Sequence, residues 1–183
     1  LLARSGEIHI RLTAKAPSDH EARLLIDGLE RQLRERIGEH IFGENEDTLE
    51  AVVGRALTAK KLTLALAESC TGGLVTSRIT DVPGSSAYLA GTVVCYNNEI
   101  KTLAVGVPAA VLADHGAVSP EVAQALAAGI RQRFGADLGV GITGIAGPTG
   151  AVPGKPVGLV YIAVAGPTGL ACHEHNFAGQ RTA

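Results

Sequence analysis

Apolar positions recur along the chain with two different periods, and a break near residue 45 separates two segments. Residues 7–13 alternate apolar and polar side chains, which predicts a half-buried strand. Apolar residues from Ala22 to Ile37 then recur at helical spacing, and Gly38 marks the end of the predicted helix. One strand and one helix cannot enclose a core, so we interpret residues 1–45 as the last part of a larger α+β domain.

From residue 46 onwards, short apolar runs alternate with amphipathic stretches. The predicted strands are residues 62–67, 91–96, 138–142, 157–165 and 170–177, and the predicted helices are residues 47–57, 74–79, 98–105 and 120–134. Helical connections between strands are typical of parallel pairing, whereas the short turn at 166–169 predicts an antiparallel pair. The predicted fold class is therefore α/β, with a mixed, mostly parallel sheet and helices on both faces.

Composition narrows the classes of function. Hydrophobic residues make up 46% of the chain and charged residues 19%, which is sufficient for a packed core. Aromatic residues make up only 3% and the net charge is −2, which disfavours the basic surface and stacking rings of a nucleic-acid binder. The sequence has no apolar run of about 18 residues and no signal-peptide pattern, and its three cysteines form no CxxC motif. We expect a cytoplasmic protein that binds neither membranes nor nucleic acid.

Small polar residues follow three of the predicted strands. The carboxyl ends of parallel strands meet at one edge of a sheet, and ligands bind there. Ser69 lies at a strand-to-helix turn with Gly72 and Gly73 behind it, where helix amides can receive a phosphate or an oxyanion. A capped helix with a tight turn is the alternative interpretation. The three segments expected at this edge are Ser69–Gly73, Tyr96–Lys101 and Thr143–Pro148.

Lys101 is the candidate base. A lysine that is desolvated over the sheet edge can be neutral enough to take a proton from a serine hydroxyl, and a solvated surface lysine is the alternative. Cys70 is a rival nucleophile, but adjacent side chains point apart, so we expect it to pack under the turn. His173 and His175 share one face of a predicted strand without a third ligand, so we predict an exposed polar face and no metal site.

Six motifs occur in order along the second segment. They are Ala67–Gly73, Asp81–Ser86, Tyr96–Lys101, His115–Ser119, Thr143–Pro148 and Lys155–Gly158. Together they closely resemble the C-terminal domain of the CinA competence/damage-inducible family. The resemblance covers about residues 47–183, without the final helix of most members, and residues 1–45 resemble the end of the family's middle domain. With the start Leu1-Leu2-Ala3, this leads us to expect a fragment of a longer protein.

The resemblance implies a three-layer α/β/α fold, a homodimer and a small-molecule nucleotide substrate. The implied reaction is hydrolysis of nicotinamide mononucleotide to nicotinic acid mononucleotide and ammonia, with no cofactor. It also implies that Ser69 is the nucleophile and Lys101 the general base, with Tyr96, Ser86 and Thr143 in the same pocket. The competing hypothesis is a nucleotide-binding regulatory module without catalysis, since the family's name refers to competence and DNA damage rather than to chemistry.

Our hypothesis for the reaction assigns a task to each of these groups. Lys101, with Tyr96 as a relay, takes the proton of Ser69, and the serine attacks the carboxamide. Backbone amides near Gly72 or Gly144 receive the oxyanion. The residues expected to bind the substrate are Thr71, Gly72, Gly73, Gly144 and, at its phosphate, Arg181.

Two positions depart from the family's usual pattern. Asn97 stands between Tyr96 and Asn98 where the family usually has serine. Gln180 stands before Arg181 where the family usually has aspartate, so the arginine is retained without its acidic neighbour.

Overall fold

The computed structural model describes residues 2–4 and 6–178, with side-chain burial from residue 6 onwards. The chain forms two compact units, one up to Leu49 and the other from Glu50. No helix in the described ranges is long and apolar enough to cross a membrane.

The first unit contains a short hairpin and one long helix. Strands β1 (Leu2–Arg4) and β2 (Glu7–His9) pair antiparallel, and helix α1 spans Asp19–Ile37. The hydroxyl of Ser18 accepts a hydrogen bond from the Glu21 amide and so begins the helix. The strand predicted over residues 7–13 is shorter than expected, because the three residues of β1 are its pairing partner.

The second unit is built on a five-stranded sheet in the order β4-β3-β5-β6-β7. β3 pairs parallel with both β4 and β5, whereas β5, β6 and β7 form antiparallel neighbours. Four strands therefore run in one direction and β6 runs against them, which confirms the predicted mixed sheet. The strands are β3 (Leu64–Glu68), β4 (Leu89–Val94), β5 (Leu138–Gly144), β6 (Leu159–Gly166) and β7 (Gly169–Asn176).

Helices cover both faces of this sheet. Leu64 and Leu66 of β3 pack in one cluster with Leu57 and Ile79, whereas Ala65 and its neighbour Ala67 pack in another with side chains of α6. This burial on both faces explains why β3 is a continuous apolar run. The helices are α2 (Leu49–Lys60) and α3 (Leu74–Thr80) on one face, and α5 (Ala109–His115) and α6 (Pro120–Phe134) on the other, while the short helix α4 (Asn98–Ile100) follows β4. The predicted three-layer α/β/α fold is confirmed.

Glycines allow α6 to lie unusually close to the middle of the sheet. A Cβ added at Gly139 would lie 2.1 Å from the carbonyl oxygen of Ala127, and one added at Gly141 would lie 2.3 Å from that of Ala123. Only a residue without a side chain fits at such distances. The close contact holds the start of α6 near the carboxyl end of β5, where the candidate site lies.

Candidate active site

Ser69 and Lys101 come together at the carboxyl edge of the sheet. Ser69 follows β3 directly, and Lys101 follows α4 on the chain leaving β4, the parallel neighbour of β3. The Lys101 Nζ lies 3.1 Å from the Ser69 Oγ. Both side chains are buried, with 7% of Ser69 and 1% of Lys101 exposed. The lysine is therefore within proton-transfer distance of the serine hydroxyl.

The surroundings of Lys101 favour the neutral amine. Its Nζ donates to the carbonyl oxygens of Cys95 at 2.9 Å and Tyr96 at 3.3 Å. Burial lowers the pKa of Lys101, and the weaker influence of Cys95, Cys70 and Tyr96 opposes this shift only in part. A neutral amine has two N–H groups for these carbonyls, and its lone pair can accept the Ser69 proton. The arrangement is suited to a general base.

The local sequence explains how Lys101 reaches this position. The side chain of Asn97 accepts a hydrogen bond from the Ile100 amide at 2.8 Å, and so begins α4. From Lys101 to Val105 the chain forms a π-helical turn, a wider turn often found at functional sites. Because asparagine and serine are both good first residues for a helix, the departure at Asn97 keeps this geometry.

Glu68 is a buried carboxylate that the sequence analysis missed. It accepts hydrogen bonds from the amides of Gly73 at 3.0 Å, Val75 at 3.2 Å and Thr76 at 2.8 Å, and from the Thr76 hydroxyl. Burial opposes its charged form, but the hydrogen bonds from Thr76, Thr71 and Val75 outweigh burial and lower the pKa of Glu68. An acidic residue in an otherwise apolar run, just before two glycines, was the available signal.

The contacts of Glu68 change the expected role of the glycines. The Gly73 amide donates to Glu68, and the Gly72 amide donates to the Ser69 carbonyl at 3.2 Å. The expectation that these amides receive an oxyanion or a phosphate is therefore corrected, because both already have acceptors within the chain. Thr71 is half-buried, and its hydroxyl lies close enough to Glu68 to stabilise the carboxylate.

Thr143 and Tyr96 lie beside the serine–lysine pair in different ways. Thr143 follows Ile142, whose carbonyl accepts the Ser69 amide at 3.1 Å, and its own buried hydroxyl donates to Ala117 at 2.7 Å. Tyr96 contacts Lys101 through its carbonyl, while 61% of the residue is exposed. Thr143 therefore lies next to the site with its hydroxyl bonded to Ala117, and Tyr96 contributes its backbone carbonyl to Lys101.

Ser86 does not join this group within one chain. It lies exposed in the turn Ser85–Ala87 before β4, and the neighbouring Tyr88 carbonyl accepts the amide of Leu64, the first residue of β3. Ser69 lies beyond the other end of β3, about 16 Å from Leu64 along the strand. The expectation for Ser86 is corrected, because α3 returns the chain to the opposite edge of the sheet.

The remaining predicted binding residues are placed as follows. Gly144 ends β5, and a Cβ there would lie 2.7 Å from the Leu159 carbonyl, so close packing against β6 requires glycine. Arg181 lies outside the described residues.

His173 and His175 lie side by side on β7 with ring centres 6.4 Å apart. Within the described residues, no three His, Cys, Asp or Glu side chains form a group suited to a metal ion.

The cysteines near the site differ in environment. Cys95 is fully buried, its thiol contacts the Glu68 carbonyl at 3.5 Å, and burial raises the pKa of that thiol. A buried thiol with a raised pKa is chemically unreactive. Cys70 is half-buried and lies within electrostatic range of Lys101. It therefore remains the rival nucleophile that an experiment must separate from Ser69.

Comparison with known proteins finds two families along the chain. Residues 46–183 match the family described as the CinA C-terminal domain, and residues 1–43 match the one described as the damage-inducible protein CinA KH domain. A putative competence-damage inducible protein of Moorella thermoacetica is 53% identical over 180 residues, which are 98% of this chain and 44% of that protein. A CinA-like protein of Geobacter sulfurreducens is 49% identical, over 96% of this chain and 43% of its own. The chain thus spans less than half the length of these relatives.

Solved structures share the fold. The competence/damage inducible protein CihA of Agrobacterium tumefaciens matches with a TM-score of 0.72 and 37% identity, over 78% of this chain and 87% of its own. The competence damage-inducible protein A (ComA) of Klebsiella pneumoniae matches with a TM-score of 0.71 and 35% identity, over 73% of this chain and 83% of its own.

Proposed function

This chain belongs to the CinA family, and on that premise we propose that its second unit hydrolyses the carboxamide of nicotinamide mononucleotide to nicotinic acid mononucleotide and ammonia. The observation that carries the proposal is the buried contact of 3.1 Å between the Lys101 Nζ and the Ser69 Oγ. A carboxamide is a poor electrophile, so its hydrolysis needs an activated nucleophile. The serine–lysine pair provides one without a cofactor.

The first half of the proposed reaction transfers the acyl group to the protein. The neutral Lys101 amine takes the hydroxyl proton of Ser69 as the serine oxygen attacks the carboxamide carbon. The resulting lysine ammonium gives this proton to the amide nitrogen as the carbon–nitrogen bond breaks. Ammonia leaves, and the nicotinoyl group remains on Ser69 as an ester. Lys101 is neutral again.

The second half hydrolyses this ester. Water attacks the ester carbon while Lys101 takes one of its protons, and the bond to the Ser69 oxygen then breaks. The proton returns from Lys101 to Ser69, which restores the hydroxyl. The product is the carboxylic acid, which ionises at neutral pH. The two carbonyls that hold Lys101 keep its nitrogen in place during both steps, because neither takes up a proton.

A coupled ammonia assay with nicotinamide mononucleotide tests the proposal. We expect the chain to release ammonia, Ser69→Ala to abolish the release, and Cys70→Ala to retain it within about threefold. Intact-mass measurement after rapid quenching should find the acyl adduct in the Cys70→Ala variant and not in Ser69→Ala. Adduct formation on Ser69→Ala alone would assign the nucleophile to Cys70. Nucleotide binding without any ammonia would favour a regulatory module instead.

A homodimer in solution is part of the proposal, because the resemblance to the family implies it. Light scattering at several concentrations gives the mass directly. A mass of one chain throughout would remove the dimer from the proposal and leave the chemistry of Ser69 and Lys101 unaffected.

A further inference from the structure

We infer that Lys155 binds the phosphate of the nucleotide substrate, an inference that rests on the proposed function. A phosphate requires a cation or free N–H donors near the reacting amide, separated from it by the ribose. The N-terminus of α3, beside Ser69, is unsuitable for binding the phosphate, because the Glu68 carboxylate already accepts the amides of this turn. The phosphate must therefore be bound elsewhere along this edge.

Lys155 is joined to the edge of the sheet through a short series of contacts. Its Nζ donates to the His115 carbonyl at 2.8 Å. Two residues further on, the Ala117 carbonyl accepts the hydroxyl of Thr143, and Thr143 follows Ile142, whose carbonyl accepts the Ser69 amide. These contacts connect the ammonium, through the segment that leads into α6, to the edge of the sheet that carries the serine.

The Lys155 ammonium retains capacity for a ligand. It is half-buried and forms no ion pair with any residue in the described ranges. The Glu121 carboxylate pairs with His115 instead, at 3.5 Å from its Nδ1. Gly116 lies beside the ammonium, since a Cβ there would be 3.4 Å from the Lys155 Nζ. One hydrogen bond to a carbonyl leaves an ammonium two further donors.

The other lysines and arginines in the described part of the second unit either have a partner already or lie away from the carboxyl edge of the sheet. Lys101 is buried against Ser69, and Arg78 pairs with Glu50 on α3 and α2. The rest lie on α2, on the turn into β3, or at the end of α6, which leads to the opposite edge of the sheet: Arg55, Lys60, Lys61, Arg131 and Arg133. This leaves Lys155 as the lysine or arginine with the position and the free donors that a phosphate needs.

Binding to an inactive variant tests the assignment independently of turnover. In a Ser69→Ala background, calorimetry compares nicotinamide mononucleotide with nicotinamide riboside, which lacks the phosphate. We expect the mononucleotide to bind about 10- to 100-fold more tightly, the usual contribution of a hydrogen bond to a charged group. Lys155→Met should remove most of this preference while changing riboside binding by less than about threefold, and Lys155→Arg should restore it.

Each other result overturns the assignment. Equal losses for both ligands in Lys155→Met would mean that the lysine only holds the loop. An unchanged preference in Lys155→Met, combined with its loss in Arg181→Ala, would assign the phosphate to Arg181. Equal affinity for the two ligands would mean that no phosphate site exists, and no binding of either would contradict the proposed substrate as well. Ammonia release by the unmodified chain is measured separately, so a failure of the proposed reaction is distinguished from a failure of the phosphate site.

Discussion

At the scale of single residues, the site depends on burying a lysine that forms no ion pair with a carboxylate in the described part of the chain. Lys101 contacts two carbonyls and one hydroxyl, none of which carries a charge at neutral pH. Removing an ammonium from water costs free energy unless a counter-ion compensates, so the group responds by a lowered pKa. The fold thereby sacrifices some stability at this position in exchange for a base that is neutral closer to physiological pH.

The pH dependence follows from the lowered pKa of Lys101. The native state holds its proton less tightly than the unfolded chain, so the free energy of unfolding gains a contribution as pH rises through the folded-state pKa, and loses it as pH falls. Ammonia release should rise over the same range, because the neutral amine is the active form. Measurement of kcat/KM from pH 6 to 10 gives this pH–rate profile. Its rising limb should lie below the ordinary pKa of a lysine.

Substitution of Lys101 separates the base from the fold. Lys101→Met and Lys101→Arg should each lower kcat by about 10²- to 10⁴-fold, because neither side chain can take a proton at these pH values. Glu99→Gln, at an exposed position on α4, is the matched control and should retain activity. Thermal unfolding verifies that the variants are folded. A folded Lys101→Met protein with native turnover would exclude the lysine as the base.

The residue scale also shows where sequence reasoning succeeds and where it stops. The meeting of Ser69 and Lys101 was predictable, because both follow neighbouring parallel strands whose ends share an edge. The partners of Glu68 were not, since a sequence does not reveal which backbone amides a buried carboxylate will reach. Ser86 was misplaced for a related reason: order along the chain does not tell which edge of the sheet a turn occupies.

At the scale of elements, the distance between α6 and the sheet is set by two glycines of β5. Periodicity predicted both elements, and the structure places them within about two residues of the expected bounds. Their close approach was not predicted, because a glycine in a strand can equally mark a bulge or a bend. The hairpin in the first unit and the π-helical turn at Lys101 were also missed. Each depends on strand pairing or on local hydrogen bonds, and a hydrophobic pattern encodes neither.

Substitution of Gly141 tests this packing. Gly141→Ala places a Cβ 2.3 Å from the Ala123 carbonyl and 2.5 Å from the Ala127 amide, so α6 must move away from β5. We expect a loss of about 1–3 kcal/mol in the free energy of unfolding, measured in urea. Gly28→Ala in the first unit is the control for an added methyl group, since a Cβ there meets nothing within 4 Å, and it should leave the unfolding of the second unit unchanged. A Gly141→Ala protein as stable as the control would contradict the close contact.

At the scale of the whole molecule, the chain consists of two compact units that differ in how completely their apolar residues are buried. No residue of α1 in the first unit is buried, and Leu24 and Leu25 remain exposed on it. The second unit has its own cores on both faces of the sheet. The sequence indicated this difference, because one strand and one helix supply too little apolar surface, whereas the alternating pattern after residue 46 supplies enough.

The second unit should therefore fold and act without the first. We expect residues 46–183, produced alone, to show a cooperative thermal transition and to release ammonia within about twofold of the rate of the 183-residue chain. Circular dichroism and the coupled assay measure the two properties on the same preparation. A folded second unit without activity, beside an active longer chain, would show that the first unit contributes to the reaction.

The start of α3, where Glu68 accepts the amides, has a consequence for product release in the proposed reaction. The reaction proposed here turns an uncharged carboxamide into an anion at the place where the bond was cleaved. That new negative charge meets a helix end already neutralised by Glu68 and an amine that has returned its proton. Since neither of these two groups attracts the carboxylate, nicotinic acid mononucleotide should dissociate readily and inhibit the forward reaction only weakly.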